Sequence, residues 1–139
     1  MCIADLLSTL ASACREPMSV ERFVPGDGPY TFLVDLGDTT AAYDFDLYTR
    51  VDADPESIRD LGELPLEMTW KAPSDSLYRE TVYMPLQGRS SFFSRQVLVP
   101  YRADVRPYEA GAWALTAAIP DTAALPGLRG LGLVVTKHR

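Results

Sequence analysis

From Tyr30 onward the apolar residues of this chain recur at every second position, and that period constrains the fold more than any other feature. In "YTFLVDL" Tyr30, Phe32, Val34 and Leu36 fall on one side; in "YDFDLYTRV" Tyr43, Phe45 and Leu47 alternate with Asp44, Asp46 and Tyr48. A period of two belongs to an extended strand with one face buried and the other in water. Further segments of strand character are "PLEMTWKA" (65–72), "LYRETVYMPL" (77–86), "SRQVLVPYR" (94–102), "AWALTAAI" (112–119) and "LGLVVTK" (131–137), each set off by Gly, Pro, Asp or Ser. The alanines of "AWALTAAI" would suit a helix, but Gly111 and Pro120 confine any helix there to about two turns. Evenly spaced strands with no long helical pattern between them predict an all-β fold. The expectation is an antiparallel β-sandwich of about 7–8 strands, with a barrel as the related solution.

The connections agree with this. "PGDGP" (25–29) and "LGDTT" (36–40) are tight-turn material, "DADPESIRDLGEL" (52–64) is a surface loop with one helical turn begun at Pro55, and "IPDTAALPGLRG" (119–130) is a second excursion. At 139 residues and 47% hydrophobic, the chain has material for one domain with a core. Both cysteines, Cys2 and Cys14, lie at the start, so packing and not cross-linking must hold that core.

Residues 1–14, "MCIADLLSTLASAC", are apolar, rich in small residues, and end in Ala-Ser-Ala-Cys. They resemble the tail of a bacterial lipoprotein signal, in which the cysteine is acylated and becomes the new N-terminus. Two other readings stand beside this one: an amphipathic helix packing through Ile3, Leu6, Leu7 and Leu10, and a Cys2–Cys14 disulfide. A reactive thiol is disfavoured, because no nearby histidine would lower the pKa of Cys14. The organisation expected is a signal segment over 1–13, a tether over 14–28 in which "VERFV" (20–24) adds an edge strand, and the sandwich over 29–139. No apolar stretch approaches the roughly 18 to 20 residues that span a bilayer as a helix.

Catalytic constellations are absent from the sequence pattern. The one histidine is His138, read as a solvated tail residue, which leaves no zinc set, no Ser-His-Asp triad and no Cys-His pair. Asp44, Asp46, Asp52, Asp54 and Glu56 have some calcium-ligand character, but the spacing lacks the glycine and terminal glutamate of an EF-hand, and a solvated strand face accounts for them. Nineteen acidic residues offer many carboxylate pairs and select none; a cleft gathering two of them would be the mark of an enzyme. No phosphate-cradling glycine loop occurs, so no nucleotide is expected. Nineteen acidic against thirteen basic residues give a net charge of -6, which excludes a nucleic-acid surface. The expectation is no catalytic residue, no metal and no cofactor.

Two surfaces remain. Arg89, Arg95, Arg102 and Arg106, interleaved with Phe92, Phe93, Tyr101 and Tyr108, have the composition of interface hot spots; the candidate contact set is the four arginines with Tyr108. Phe92, Phe93 and Tyr101 are expected to pack inward, as strand aromatics do. Tyr48, Trp70 and Tyr78 are the candidates for stacking against a glycan.

The C-terminal third, "VRPYEAGAWALTAAIPDTAALPGLRGLGLVVTK" (105–137), resembles the end of the gliding-motility lipoprotein H family. The resemblance rests on a Pro-x-x-x-Gly-x-aromatic strand (Pro107, Gly111, Trp113), a Leu-x-Gly segment (Leu125, Gly127) and a Gly-Leu strand (Gly130, Leu131, Gly132, Leu133). "YDFDLYTRV" is similar to that family's alternating strand ending in Arg, here Arg50. The resemblance implies a non-enzymatic protein anchored through acylated Cys14 in the envelope of a gram-negative bacterium, on the periplasmic or outer side. Its implied partners are the membrane and other envelope proteins, with no nucleic acid or nucleotide. The shared residues have a backbone reading too: Gly111 supplies positive φ before a strand, and Gly130 and Gly132 leave a strand face bare for another segment, or Trp113, to lie close.

Overall fold

The computed structural model describes residues 18–138, which form nine strands in two antiparallel sheets. The strands are β1 (Met18–Pro25), β2 (Tyr30–Asp35), β3 (Ala42–Asp52), β4 (Glu63–Lys71), β5 (Leu77–Pro85), β6 (Arg89–Ser90), β7 (Ser94–Val105), β8 (Ala112–Ala118) and β9 (Leu128–His138). One sheet runs β1-β9-β3-β7-β6 and the other β2-β8-β4-β5. The expected all-β sandwich is therefore the fold, and all seven strands of the sequence pattern are present.

Alternation fixes which side chains meet between the sheets. Tyr30, Phe32 and Val34 of β2 are buried while Thr31, Leu33 and Asp35 are exposed; Phe45, Leu47 and Val51 of β3, with Leu133 beside them on β9, share one core with Leu66, Met68 and Leu115 of the other sheet. Each such side chain contributes about 1.5–3 kcal/mol of burial. β8 is a strand despite its alanines because it is hydrogen-bonded on both sides, to β2 and to β4, and its Trp113, Leu115 and Ala117 point inward. Pairing on two edges overrides a weak helical propensity.

The nine strands are one more than the 7–8 expected, and the edge strand expected at "VERFV" is present and longer than that segment. β1 covers Met18–Pro25, most of what the sequence assigned to a tether, and pairs with β9 along its whole length. It lacks a legible alternation because it is an edge strand exposed on nearly every residue. β6 has only two residues. The helical turn begun at Pro55 is α1 (Pro55–Arg59), capped by the Asp54 carboxylate, which accepts from the Ser57 amide at 2.8 Å.

The glycines singled out in the C-terminal third act through the backbone. Gly111 has φ +134 just before β8. Gly132 lies bare beneath the rings of Phe23 and Tyr48, not beneath Trp113, which belongs to the opposite sheet.

Register orients the molecule. Met18 pairs with Lys137, Lys137 with Tyr43, and Tyr43 with Val105, so these define one end of the sandwich. Pro25 pairs with Gly130 and Asp52 with Ser94 at the other. β2 descends toward the Met18 end, where Asp35 pairs with Ala112, and Trp70, Leu77 and Trp113 lie at that end too.

Candidate functional site

The sandwich opens at its Met18 end, between β5 and β7, into a cleft of about 580 Å³. Inward parity on three strands builds its wall: Trp70 from β4, Tyr78 and Glu80 from β5, and Trp113 from β8. Arg102 of β7, followed by Val105, Arg106, Pro107 and Tyr108, closes the far side.

The aromatic rings contact one another in series. Trp70 meets Trp113 edge-on at 6.2 Å and stacks with Tyr101 at 6.5 Å, while Tyr78 stacks with Trp113 at 6.4 Å and Tyr108 meets Trp113 edge-on at 5.9 Å. Edge-to-face and offset contacts of this kind are the favoured ring geometries. Trp70 and Trp113 form the covered floor; Tyr78 (46% exposed) and Tyr108 (68%) stand in solvent at the mouth with their hydroxyls hydrogen-bonded together. That bond pushes the Tyr108 hydroxyl up to about 12, so it stays neutral.

Beneath the rings runs a polar chain between the sheets. The Trp70 indole N–H donates to the Tyr101 hydroxyl at 2.9 Å, Tyr101 donates to one Glu80 oxygen, and Arg102 donates to the other at 2.5 Å. Burial alone would raise the Glu80 carboxyl, but the bonds from Arg102 and Tyr101 outweigh it and hold the group below its usual range. Burial, then the bond to Glu80, pushes Tyr101 up to about 12. The Trp113 indole N–H donates to the Glu109 carbonyl at 2.9 Å. Every polar atom of the floor is thus engaged before a ligand arrives, which holds the rings in fixed orientations.

Of the candidate contact residues, Arg102, Arg106 and Tyr108 lie in this cleft. Arg89 and Arg95 sit at the opposite end of β7, roughly 23 Å along the strand from Arg102, and Arg95 donates to the Leu86 carbonyl at 3.1 Å. The arginine cluster of the sequence is therefore two separate groups. Phe92 and Phe93 contradict the expectation of inward packing: they are 73% and 59% exposed. They occupy the turn between β6 and β7, where no opposing sheet covers them. Tyr101 does pack against the core, part-buried.

Of the glycan candidates, Trp70 and Tyr78 share the cleft, whereas Tyr48 packs against Phe23 on the outer face of the other sheet. Sequence reasoning passed over Glu80, although "LYRETVYMPL" contains its signal: Tyr78, Glu80, Val82 and Met84 share parity, so a carboxylate stands on the inward side.

Most of the acidic residues weighed for calcium have protein partners. Asp44 accepts from the Asp104 amide at 2.7 Å, Asp52 pairs with Arg50 at 2.8 Å, and Asp54 caps α1. His138 is not a solvated tail: it ends β9, part-buried, with its ring 3.2 Å from Asp44. Among the described residues no group of three or more His, Cys, Asp or Glu is arranged to hold a metal ion, and Glu80 is the one carboxylate lining the cleft.

A second opening of about 480 Å³ lies between the edge strands β1 and β2, floored by Phe32, Leu133 and Val135 and rimmed by Met18, Val20 and Leu33; it contains none of the candidate residues. Cys14, Cys2, the signal segment and the first tether residues lie outside the described residues. The chain matches no protein-family model, and no curated protein matches it.

Proposed function

We propose that this chain is a non-enzymatic protein of the bacterial cell envelope, held to a membrane by acyl chains on Cys14, that works by binding a saccharide in its cleft. The observation carrying the proposal is the cleft itself: a concave site of about 580 Å³, aromatic over floor and mouth, with its polar floor already satisfied. Sites for small ligands have this size and this mix of apolar rings with a few polar groups. The "LASAC" segment and the resemblance to gliding-motility lipoproteins support the anchor. Acyl chains add about 0.8 kcal/mol per buried methylene, and two or more make attachment stable. Three residues separate Cys14 from Met18, a reach of at most about 14 Å, and Met18 lies at the same end of the sandwich as the cleft.

A second reading gives the protein a protein partner, as the family resemblance implies. Phe92 and Phe93 favour it: two exposed rings in contact at 5.1 Å, with Arg89 and Arg95 close in sequence, at the end of the sandwich away from Met18. Arginine beside aromatics is the composition of binding hot spots.

One preparation from the native envelope tests the first reading. Mass spectrometry should find an acylated N-terminus at Cys14, and the protein should be retained on immobilised envelope polysaccharide, with retention lost in Tyr78→Ala/Tyr108→Ala. An unmodified 1–14 segment would overturn the anchor; unchanged retention in the double variant would overturn the cleft.

A further inference from the structure

Resting on the reading of the cleft as a saccharide site, we infer that its ligand is an acidic saccharide, a sugar bearing a carboxylate or a phosphate, gripped through Arg106. The charge inventory of the cleft leads there. Glu80 is neutralised by Arg102, so that pair presents no net charge to a ligand. Arg79 and Arg106 line the same cleft, and among the described residues neither has an acidic partner; Arg79 stands at an outward position of β5, while Arg106 precedes Pro107 and Tyr108 on the cleft wall. The chain as a whole carries a net charge of -6 and repels anions in bulk, so an uncompensated guanidinium set against aromatic walls inverts the local sign.

The ring arrangement completes the chemistry. The exposed faces of Tyr78 and Tyr108 offer surface for the C–H face of a pyranose, and their hydroxyls stand at the mouth beside it. A planar guanidinium donates two parallel charge-assisted hydrogen bonds to a carboxylate or phosphate, stronger than those it donates to the hydroxyls of a neutral sugar. Aromatic boxes also bind cations, but here the unpaired Arg79 and Arg106 stand in the same cleft and oppose a further positive charge. An anion on a sugar ring uses both the rings and the unpaired arginines.

Calorimetry on the full-length chain in detergent micelles tests this with three probes: tetragalacturonate, its neutral methyl ester, and glucose 6-phosphate. One of the anionic probes should bind about tenfold tighter than the ester, and the order of uronate and phosphate identifies which anion the site prefers. Arg106→Gln, an exposed position, should bring that preference to within about twofold while near-ultraviolet circular dichroism stays native. Ester binding equal to that of both anions overturns the acidic ligand, and a preference that survives Arg106→Gln overturns the grip through Arg106; either leaves the saccharide cleft standing. Binding of none of the three overturns the cleft reading as well and leaves its rings to a protein partner.

Discussion

Glu80 illustrates how single residues are set in this protein. It stands on the inward side of β5 between Tyr78 and Val82, where an unpaired carboxylate would be costly, and bonds from Arg102 and Tyr101 make it tolerable. Its folded pKa lies below the unfolded value, so the stabilisation is present above about pH 4.5 and is lost as pH falls through the folded value. Urea unfolding at pH 7 and pH 3 should find Glu80→Gln less stable at pH 7 by about 1–2 kcal/mol and less sensitive to acid than the native chain. Equal loss in both proteins would show that Glu80 does not carry the acid response. Tyr30 and Tyr101, pushed up to about 12, act in the opposite sense: their stabilisation is complete below about pH 10 and falls between 10 and 12. Much of this was legible from parity, since Trp70, Tyr78 and Glu80 all occupy inward positions and Tyr48 an outward one. Parity by itself sets Tyr48 apart from Trp70 and Tyr78; what parity does not carry is which residues meet across the sheets, so the bonds from Tyr101 and Arg102 to Glu80 are not legible in the sequence.

Elements were legible where one face is buried and obscure where neither is. β2, β3 and β4 alternate because a core lies on one side only; β1 does not alternate because an edge strand with little above it has no inner face to select for. The β6–β7 turn misled for a related reason: Phe92 and Phe93 have strand-like composition, yet the turn projects past the sheet that would cover them. Phe92→Ser/Phe93→Ser should leave the midpoint of thermal unfolding within about 2 °C, because exposed rings contribute little to stability. A large drop would mean these rings have a packing role that their exposure does not suggest. The turn into β9 is far less tolerant. A Cβ on Gly127 would fall 1.9 Å from the Asp52 carbonyl, at a residue with φ +87. Gly127→Ala should therefore cost at least about 2 kcal/mol in chemical denaturation, and a neutral result would contradict the close approach of the two backbones there.

On the scale of the whole molecule, strand order is what joins the parts. Composition and period predict two packed sheets but not that β1 pairs with β9, and that pairing brings Met18 to the end of the sandwich where Trp70, Tyr78, Tyr108 and Trp113 converge. Met18 itself rims the other opening, and β9 and β3 stand between β1 and the β7 wall of the cleft, so Met18 shares an end of the sandwich with the cleft but not an edge. Both tryptophans of the chain line that cleft, so tryptophan emission reports on it. Titration of the full-length protein with an acid hydrolysate of envelope polysaccharide, followed by tryptophan emission, is the direct test of the central claim. A saturable change in intensity or wavelength, absent in Tyr78→Ala/Tyr108→Ala, is the result predicted. Emission that stays constant while calorimetry registers saccharide binding would mean the ligand sits elsewhere, and would contradict the cleft as the working surface.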